Sequence, residues 1–384
     1  METQIGNIRQ KKVEPVDESI RVTVTTSAQD KLQIYRLRYQ VYIEEMGRKL
    51  SGADHENGLL YDELDDWSYL VSAKIGAKVI GSVRLNIGRA ENFPENLVST
   101  LLMNKFQTFG NGQHNLCFAS KYIVSPAYRT TRAGGLLLGC LDDICRQHQV
   151  QINLAGCNPH LITFYEKVGY RRFTDSFNVP EYGRMVPLAW IVEDIDHLRA
   201  VRSPYLRNAY KWDNRITAAN WFSREFPESS EFVNSRLVNE DEVWALLRQK
   251  LGQSPEQAIP ALSGLTEDEA RKLAHLGVVH RFKKGDRLIS AGDRSHEMNI
   301  LLNGRLNASI PSSVLAKEIE LTAGHIFGEV ALSVPKEQTV DITSGTDGEY
   351  LIMPETSFRK YRCNYPIAAD KILQNINQLK SYTV

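Results

Sequence analysis

The stretch VSPAYRTTRAGGLLLG, residues 124–139, constrains the fold more than any other part of this 384-residue chain. Pro126 marks a turn after an extended segment, a basic loop follows with Gly134 and Gly135, and the run Leu136–Leu138 opens a helix. A strand that turns into a helix through such a loop leaves the first N–H groups of the helix without intrahelical partners. The helix dipole then favours an anion there, a pyrophosphate or a phosphodiester. A purely structural strand-to-helix turn uses the same residue types, so the wider context decides between the two.

That context has an α/β layout. RVTVTT, from Arg21, alternates as a strand does. In DKLQIYRLRYQVYIEEMG the residues Leu32, Tyr35, Leu37/Tyr39 and Val41/Tyr42 recur at helical spacing, with Gly47 as the stop. Residues 67–87 predict two strands around a Gly-containing turn, and 115–125 another strand. Residues 134–150 predict a helix, 151–157 a short strand, and 159–170 a helix closed by Gly169. The expected fold is a mainly antiparallel mixed sheet with helices on both faces over 21–192, after a flexible lead-in at 1–20. Residues 193–255 are charged and helical in period, broken by Pro and Ser, and read as a helical connector. In LTEDEARKLAHLG, Thr266 stands as N-cap and Glu269 at the capping-box position. Short strands then follow with Gly turns at Gly285, Gly292, Gly304, Gly324 and Gly348. They predict an all-β jelly-roll barrel over 256–384 with flanking helices, the last from about Ala368 to Lys380.

Composition narrows the function classes. Lys plus Arg and Asp plus Glu balance at 46 each, so no global basic field drives nucleic-acid or membrane binding. No apolar run approaches the roughly 20 residues of a membrane span. The polar N-terminus lacks the apolar core of a secretory signal, so a cytoplasmic location is expected. The five cysteines (Cys117, Cys140, Cys145, Cys157, Cys363) show no C-x-x-C spacing. They are expected to be buried free thiols, with no metal site.

With its flanks included, the opening stretch resembles the GCN5-related N-acetyltransferase superfamily, whose pantetheine-pyrophosphate loop reads R/Q-x-x-G-x-G/A. Arg129, Thr130, Thr131, Arg132, Ala133 and Gly134 occupy that frame, and Gly135 follows. The segment YIVSPAYR looks like the family's fourth strand, where the backbone at Ile123 and Val124 would meet the thioester. In NPHLITFYEKVGY, the resemblance implies that Asn158 steadies the pantetheine arm and that Tyr165 protonates the leaving thiolate. Arg132 stands where the family usually has its first glycine, a loss shared with the branch of acyl-homoserine-lactone synthases and long-chain N-acyl amino acid synthases. LRYQVYIEEMG, YDELDDWSYLVSA and GSVRL are similar to that branch's motifs at Arg38, Glu44, Asp62, Asp65 and Arg84. Phe118 and Lys121 replace the Glu and Arg of the synthases, which speaks against a homoserine-lactone-type acceptor and leaves a broader N-acyltransferase.

Such a reaction needs residues of these types. An amine attacks a thioester once both are held in line, so most of the gain is positioning. A carboxylate, directly or through a water, takes a proton from the ammonium acceptor. Glu44, Asp62 and Asp65 are the candidates, although a solvated charged turn would also read DELDD. The resemblance implies acyl-CoA or an acyl carrier protein as donor, and an amine of a small molecule or amino acid as acceptor.

The C-terminal segment GHIFGEVALSVPKEQTVDI resembles the phosphate-binding cassette of cyclic-nucleotide-binding domains. In that family a Gly-Glu pair caps a short helix, its N–H groups take the cyclic phosphate, and the Glu takes the ribose hydroxyl. Gly328 and Glu329 match the pair, with Val330 and Ala331 behind them. Lys336 replaces the phosphate-pairing Arg, and Glu337 and Gln338 replace a small pair. Lysine keeps the charge but loses the bidentate fork, and Glu337 adds a charge of the ligand's sign, so cyclic nucleotide is expected to bind weakly or not at all. The alternatives are a barrel kept for docking or homodimerisation, and a catalytically silent acyltransferase fold that answers to a nucleotide or partner. A transcription factor is disfavoured, because no helix-turn-helix follows the barrel.

Overall fold

The computed structural model describes residues 20–212, 216–309 and 319–380, so the expected lead-in lies outside the described residues except for Ile20. The chain forms two compact units, both discontinuous in sequence. One holds the residues up to Glu45 with Gly52–Asn86 and Ala119–Ile144. The other holds Met46–Ser51, Ile87–Phe118 and everything from Cys145.

In the first unit, strands β1 (Ile20–Val24), β2 (Tyr69–Ile75), β3 (Lys78–Gly88) and β4 (Leu116–Val124) lie side by side in that order. β1 and β2 run antiparallel from Ile20↔Ile75 to Val24↔Val71, and β2 and β3 from Tyr69↔Leu85 to Ile75↔Lys78. Helix α1 (Ala28–Tyr39) starts where the Ser27 side chain accepts the Asp30 N–H. It buries Ile34 and Leu37 and passes into a π-helical turn at Gln40–Glu45, a widened form that often marks functional positions. Helix α2 (Ala133–Gln147) buries Ala133, Leu137, Leu138 and Leu141. Gly81 admits its close approach to the sheet: a Cβ there would stand 3.0 Å from the Ile123 carbonyl and 3.1 Å from Leu137.

In the second unit, the first residues of β4 pair in parallel with β5 (Ile152–Cys157), from Leu116↔Ile152 to Phe118↔Leu154. After helix α3 (Ile162–Val168), the short strands β6 (Arg171–Arg172) and β7 (Phe177–Val179) both pair antiparallel with β8 (Gly183–Ile191), which also pairs antiparallel with β5. The sheet is thus mixed, β4 and β5 pairing in parallel while β8 runs antiparallel to β5, β6 and β7. The connector holds α4 (Thr217–Glu225) and α5 (Glu240–Leu251), followed by α6 (Glu267–His275), where the capping box of Thr266 and Glu269 forms as the sequence predicts.

The C-terminal strands are β9 (Val278–Phe282), β10 (Arg287–Ile289), β11 (Arg294–Ser295), β12 (Glu297–Asn303), β13 (Leu306–Ser309), β14 (Ile319–Leu321), β15 (Ile326–Phe327), β16 (Lys336–Glu337), β17 (Asp341–Ser344) and β18 (Gly348–Pro354). They make two four-stranded antiparallel sheets, β9-β18-β12-β15 and β10-β17-β13-β14, plus the ladder β11-β16. Among the described residues these sheets do not close into one continuous barrel. Two helices finish the chain where the sequence predicted one: α7 (Glu355–Asn364) and α8 (Pro366–Lys380). One apolar core joins Trp244 and Leu247 of α5, Leu273 of α6, Ile300 and Leu351 of the strands, and Phe358 and Ile372 of the last helices. The end of the connector is therefore built into the β-domain.

All five cysteines are free, but the expectation that all are buried fails for Cys140, which is half-buried, and Cys363, which is exposed. Burial pushes the Cys117, Cys140 and Cys157 thiols up, away from nucleophilic character.

Candidate functional site

In the first unit the basic loop runs directly into α2. The Thr131 hydroxyl accepts the Ala133 N–H at 3.2 Å and donates to the Tyr128 carbonyl at 2.7 Å, fixing the entry to the helix. Arg129 sends Nε to the Val124 carbonyl (3.1 Å) and grips Glu45 through both terminal nitrogens at 2.5 and 2.7 Å. Arg129, Thr130, Arg132 and Gly135 lie exposed, while Ile123 and Val124 are buried at the end of β4. At Gly134 a Cβ would stand 2.5 Å from the Tyr122 hydroxyl, so only glycine leaves this ring in place. Burial pushes the Tyr122 phenol up to about 12, and it stays protonated as a donor.

The branch motif residues meet in a charge cluster of the same unit. Arg38, fully buried, sends Nη1 to both oxygens of Asp65 at 2.8 Å. Arg84 hydrogen-bonds Asp62, stands 3.2 Å from Asp65 and donates Nε to Ser120 at 2.9 Å. Asp62 also caps the short turn Glu63–Asp65. Burial opposes ionisation of Asp62, but the charge and hydrogen bond of Arg84, aided by Lys121 and Arg38, outweigh it and hold the carboxyl below its usual range. Both aspartates are thus committed to arginines, whereas Glu44 is exposed on the π-helical turn. Lys121 breaks the regular strand with φ +52°, a backbone state uncommon for a side-chain-bearing residue and concentrated at functional sites. Its ammonium lies 3.8 Å from Asp62 and 5.1 Å from the Tyr42 ring centroid. Burial pulls it down to about 8; Asp62 opposes this shift and Arg84 and Arg38 add to it. Lys121 therefore titrates near neutrality, which spacing could not reveal.

In the second unit Asn158 is engaged at both ends of its amide. Its nitrogen donates to the Tyr182 and Arg184 carbonyls at 3.0 Å each, and its oxygen accepts from Arg48 Nη2 at 2.8 Å. Tyr165, half-buried on α3, packs edge-on against Phe164 and Tyr170 with centroids 5.4 and 5.3 Å apart. Phe118, where the related synthases carry a carboxylate, packs edge-on against Phe93, so this position is apolar. The sequence reading overlooked Arg48; its position beside the helix-stopping Gly47 was the signal available.

The phosphate-cassette region corrects one expectation. No helix forms among residues 328–335, so Gly328 and Glu329 do not cap one. Gly328 takes φ +72°, and Gln338, only 4% exposed, folds back on the pair. Its Oε1 accepts the Glu329 N–H at 2.7 Å, and a Cβ on Gly328 would lie 2.9 Å from the same oxygen. The Glu329 carboxylate accepts from Thr339 at 3.2 Å. Val330 and Ala331 are buried, and Lys336 and Glu337 pair in the ladder with Ser295 and Arg294. A side-chain amide thus holds the donor that the cassette would offer to a ligand.

Residues 33–191 match the family described as N-acyl amino acid synthase FeeM, and residues 279–364 match the cyclic nucleotide-binding domain. The chain therefore joins a domain of the N-acyl amino acid synthase family to a cyclic-nucleotide-binding-type domain. Among curated proteins, Glutaminase 1 of Bradyrhizobium diazoefficiens is 28% identical over 120 residues, 31% of this chain and 19% of that protein. Glutaminase 2 of the same organism is 30% identical over 121 residues, 32% of this chain and again 19% of the relative, so the chain spans only a small part of these relatives. Similar solved structures include FeeM from uncultured soil microbes, at 10% identity and TM-score 0.40, covering 49% of this chain and 97% of that one. The Thermus thermophilus catabolite activator protein shares 17% identity at TM-score 0.29, covering 32% and 57%. Among the described residues, no helix is long and apolar enough to cross a membrane and no group of side chains could hold a metal ion.

Proposed function

We propose that this protein is a cytoplasmic N-acyltransferase, with an acyltransferase domain over about 21–192, that moves an acyl group from acyl-CoA or an acyl carrier protein to the amine of an amino acid or similar small molecule. The observation that carries this reading is the match over 33–191 combined with a basic loop feeding α2 at the family's pyrophosphate position. The loop residues from Arg129 to Gly135 bind the donor's phosphates, and the β4 backbone at Ile123 and Val124 takes the thioester. Asp62 and Asp65 hold Arg38 and Arg84 in place, and Glu44 accepts the proton of the acceptor ammonium. The new C–N bond forms as the C–S bond breaks, Tyr165 gives its proton to the thiolate, and the proton shed by the nitrogen restores it. Purified protein incubated with acyl donors and mixed amino acids should release free thiol and yield N-acyl products detectable by mass spectrometry. Thiol release independent of any amine would sink the reading.

Tyr165→Phe separates chemistry from binding. With only the proton donor removed, kcat should fall on the order of 10²-fold while the donor's KM holds. A change confined to KM would make Tyr165 a packing residue.

The β-domain supports docking better than nucleotide sensing, and the observation behind this is Gln338 on the Glu329 N–H. Cyclic AMP or cyclic GMP at micromolar concentration should leave the melting temperature of the wild-type protein unchanged. Lys336→Arg with Glu337→Ser and Gln338→Ala restores the forked cation and frees the donor. Charge-assisted bonds of roughly 1.5–3 kcal/mol each correspond to about ten- to a hundredfold in affinity, which calorimetry on the triple variant would read. Tight wild-type binding would reverse this view and favour allosteric control.

A further inference from the structure

A cavity of about 260 Å³ in the second unit has Asn158 and Gln338 on its wall but is lined mostly by residues given no role above. Segments 46–49, 158–160 and 181–184 form part of its wall, and the β-domain forms the rest. Leu288, Ile289, Phe327 and Tyr350, all buried, give it an apolar portion. Arg48, Arg184 and His296 also line it, and each carries a buried nitrogen with no hydrogen-bond partner: Arg48 Nε, Arg184 Nε and His296 Nε2. Buried polar atoms are almost always satisfied in folded proteins, so two arginine donors and an imidazole nitrogen left open on one cavity wall need an explanation.

The charges agree. Among the described residues Arg48 donates to neutral oxygens, Asn158 Oδ1 at 2.8 Å and the Glu181 carbonyl at 3.2 Å, and pairs with no carboxylate. Arg184, 6% exposed, reaches Asp286 at 2.6 Å through Nη2 and the Arg287 carbonyl through Nη1, leaving Nε. Lys49 and Arg294 add positive charge to the wall. The acids there are otherwise occupied: Glu181 accepts the Ser51 N–H at 2.8 Å, and Glu297 lies 3.4 Å from His160. Desolvation raises the third, Asp293, with Arg48 opposing, although the residue as a whole is exposed. Burial, with His160 adding and Glu297 opposing, lowers His296 to about 4, so its ring is neutral at pH 7.

We propose that this cavity binds a small organic anion, with a carboxylate or phosphate head on Arg48, Arg184 and His296 and an apolar body on the Leu288–Phe327 side. The site does not rest on the acyl-transfer reading. Octanoate and inorganic phosphate are the two probes, added to full-length Gly134→Asp protein so that the loop before α2 contributes nothing. At least one should raise the melting temperature and give a calorimetric isotherm. Arg48→Gln should weaken that binding at least about tenfold, about 1.4 kcal/mol, and Arg48→Lys should recover part of it, because charge returns without the fork. A response to octanoate alone makes the apolar body essential, and a response to phosphate alone makes the head sufficient. Should the variants fold poorly, the ¹⁵N arginine Nε resonances of the Gly134→Asp protein must move on titration. No response to either probe, unmoved Nε signals, or unchanged affinity in Arg48→Gln would overturn the proposal.

Discussion

Gly134→Asp should abolish binding of coenzyme A while leaving the far-ultraviolet circular dichroism of the protein intact. Two causes act together. A carboxylate at the start of α2 repels a pyrophosphate where the helix dipole would otherwise favour it. The new Cβ would also stand 2.5 Å from the hydroxyl of Tyr122, a half-buried residue of β4, and push that ring aside. Gly134→Ala separates them, since it brings the steric conflict without the charge. It should cost less than Asp and more than nothing. Coenzyme A affinity unchanged in both variants, measured by calorimetry, would remove the loop from the donor site.

The second large effect is on stability. Asp65→Ala leaves Arg38 and Arg84 buried, 0% and 2% exposed, without the carboxylate that both approach. Removing one partner of a buried pair typically costs about 3–5 kcal/mol, because the remaining charge stays desolvated. A urea titration should show the midpoint falling by a corresponding amount. Combining Asp65→Ala with Arg38→Met removes the stranded charge and should restore a substantial part of the loss, as a double-mutant cycle would read. If the single variant melts like wild type, the cluster is hydrated and its aspartates are available as bases.

The two cases differ in how far the sequence revealed them. The loop at 124–139 is local: proline, basic residues and glycines all lie between Pro126 and Gly135, next to the helix that begins at Ala133, so its form was readable. The capping box of Thr266 and Glu269 and the stop at Gly47 were readable for the same reason. The acids at 62–66 read equally well as a solvated turn, because the arginines that compensate them stand on α1 and β3, 27 and 22 residues away for Arg38–Asp65 and Arg84–Asp62. Glu337 and Gln338 were legible as poor cassette residues. That Gln338 would turn inward onto the Glu329 N–H depends on a fold-back of nine residues and on a helix that does not form. The backbone of Lys121 carries no sequence signal, since lysine is not a residue chosen for positive φ.

One arginine sets a limit on how this architecture can be recombined. Arg172 on β6 pairs with the buried Glu166 at 2.8 Å and donates to the carbonyls of Val233 in the connector and Val279 on the first β-domain strand, at 2.6 and 2.9 Å. The guanidinium is wholly enclosed, so each carbonyl is a partner it cannot replace with solvent. Exchange of the C-terminal domain for an unrelated sensor would take the Val279 carbonyl from this guanidinium and leave it with Glu166 and the Val233 carbonyl, one buried donor short of a partner. Any replacement domain would therefore need an acceptor of its own at the place of the Val279 carbonyl.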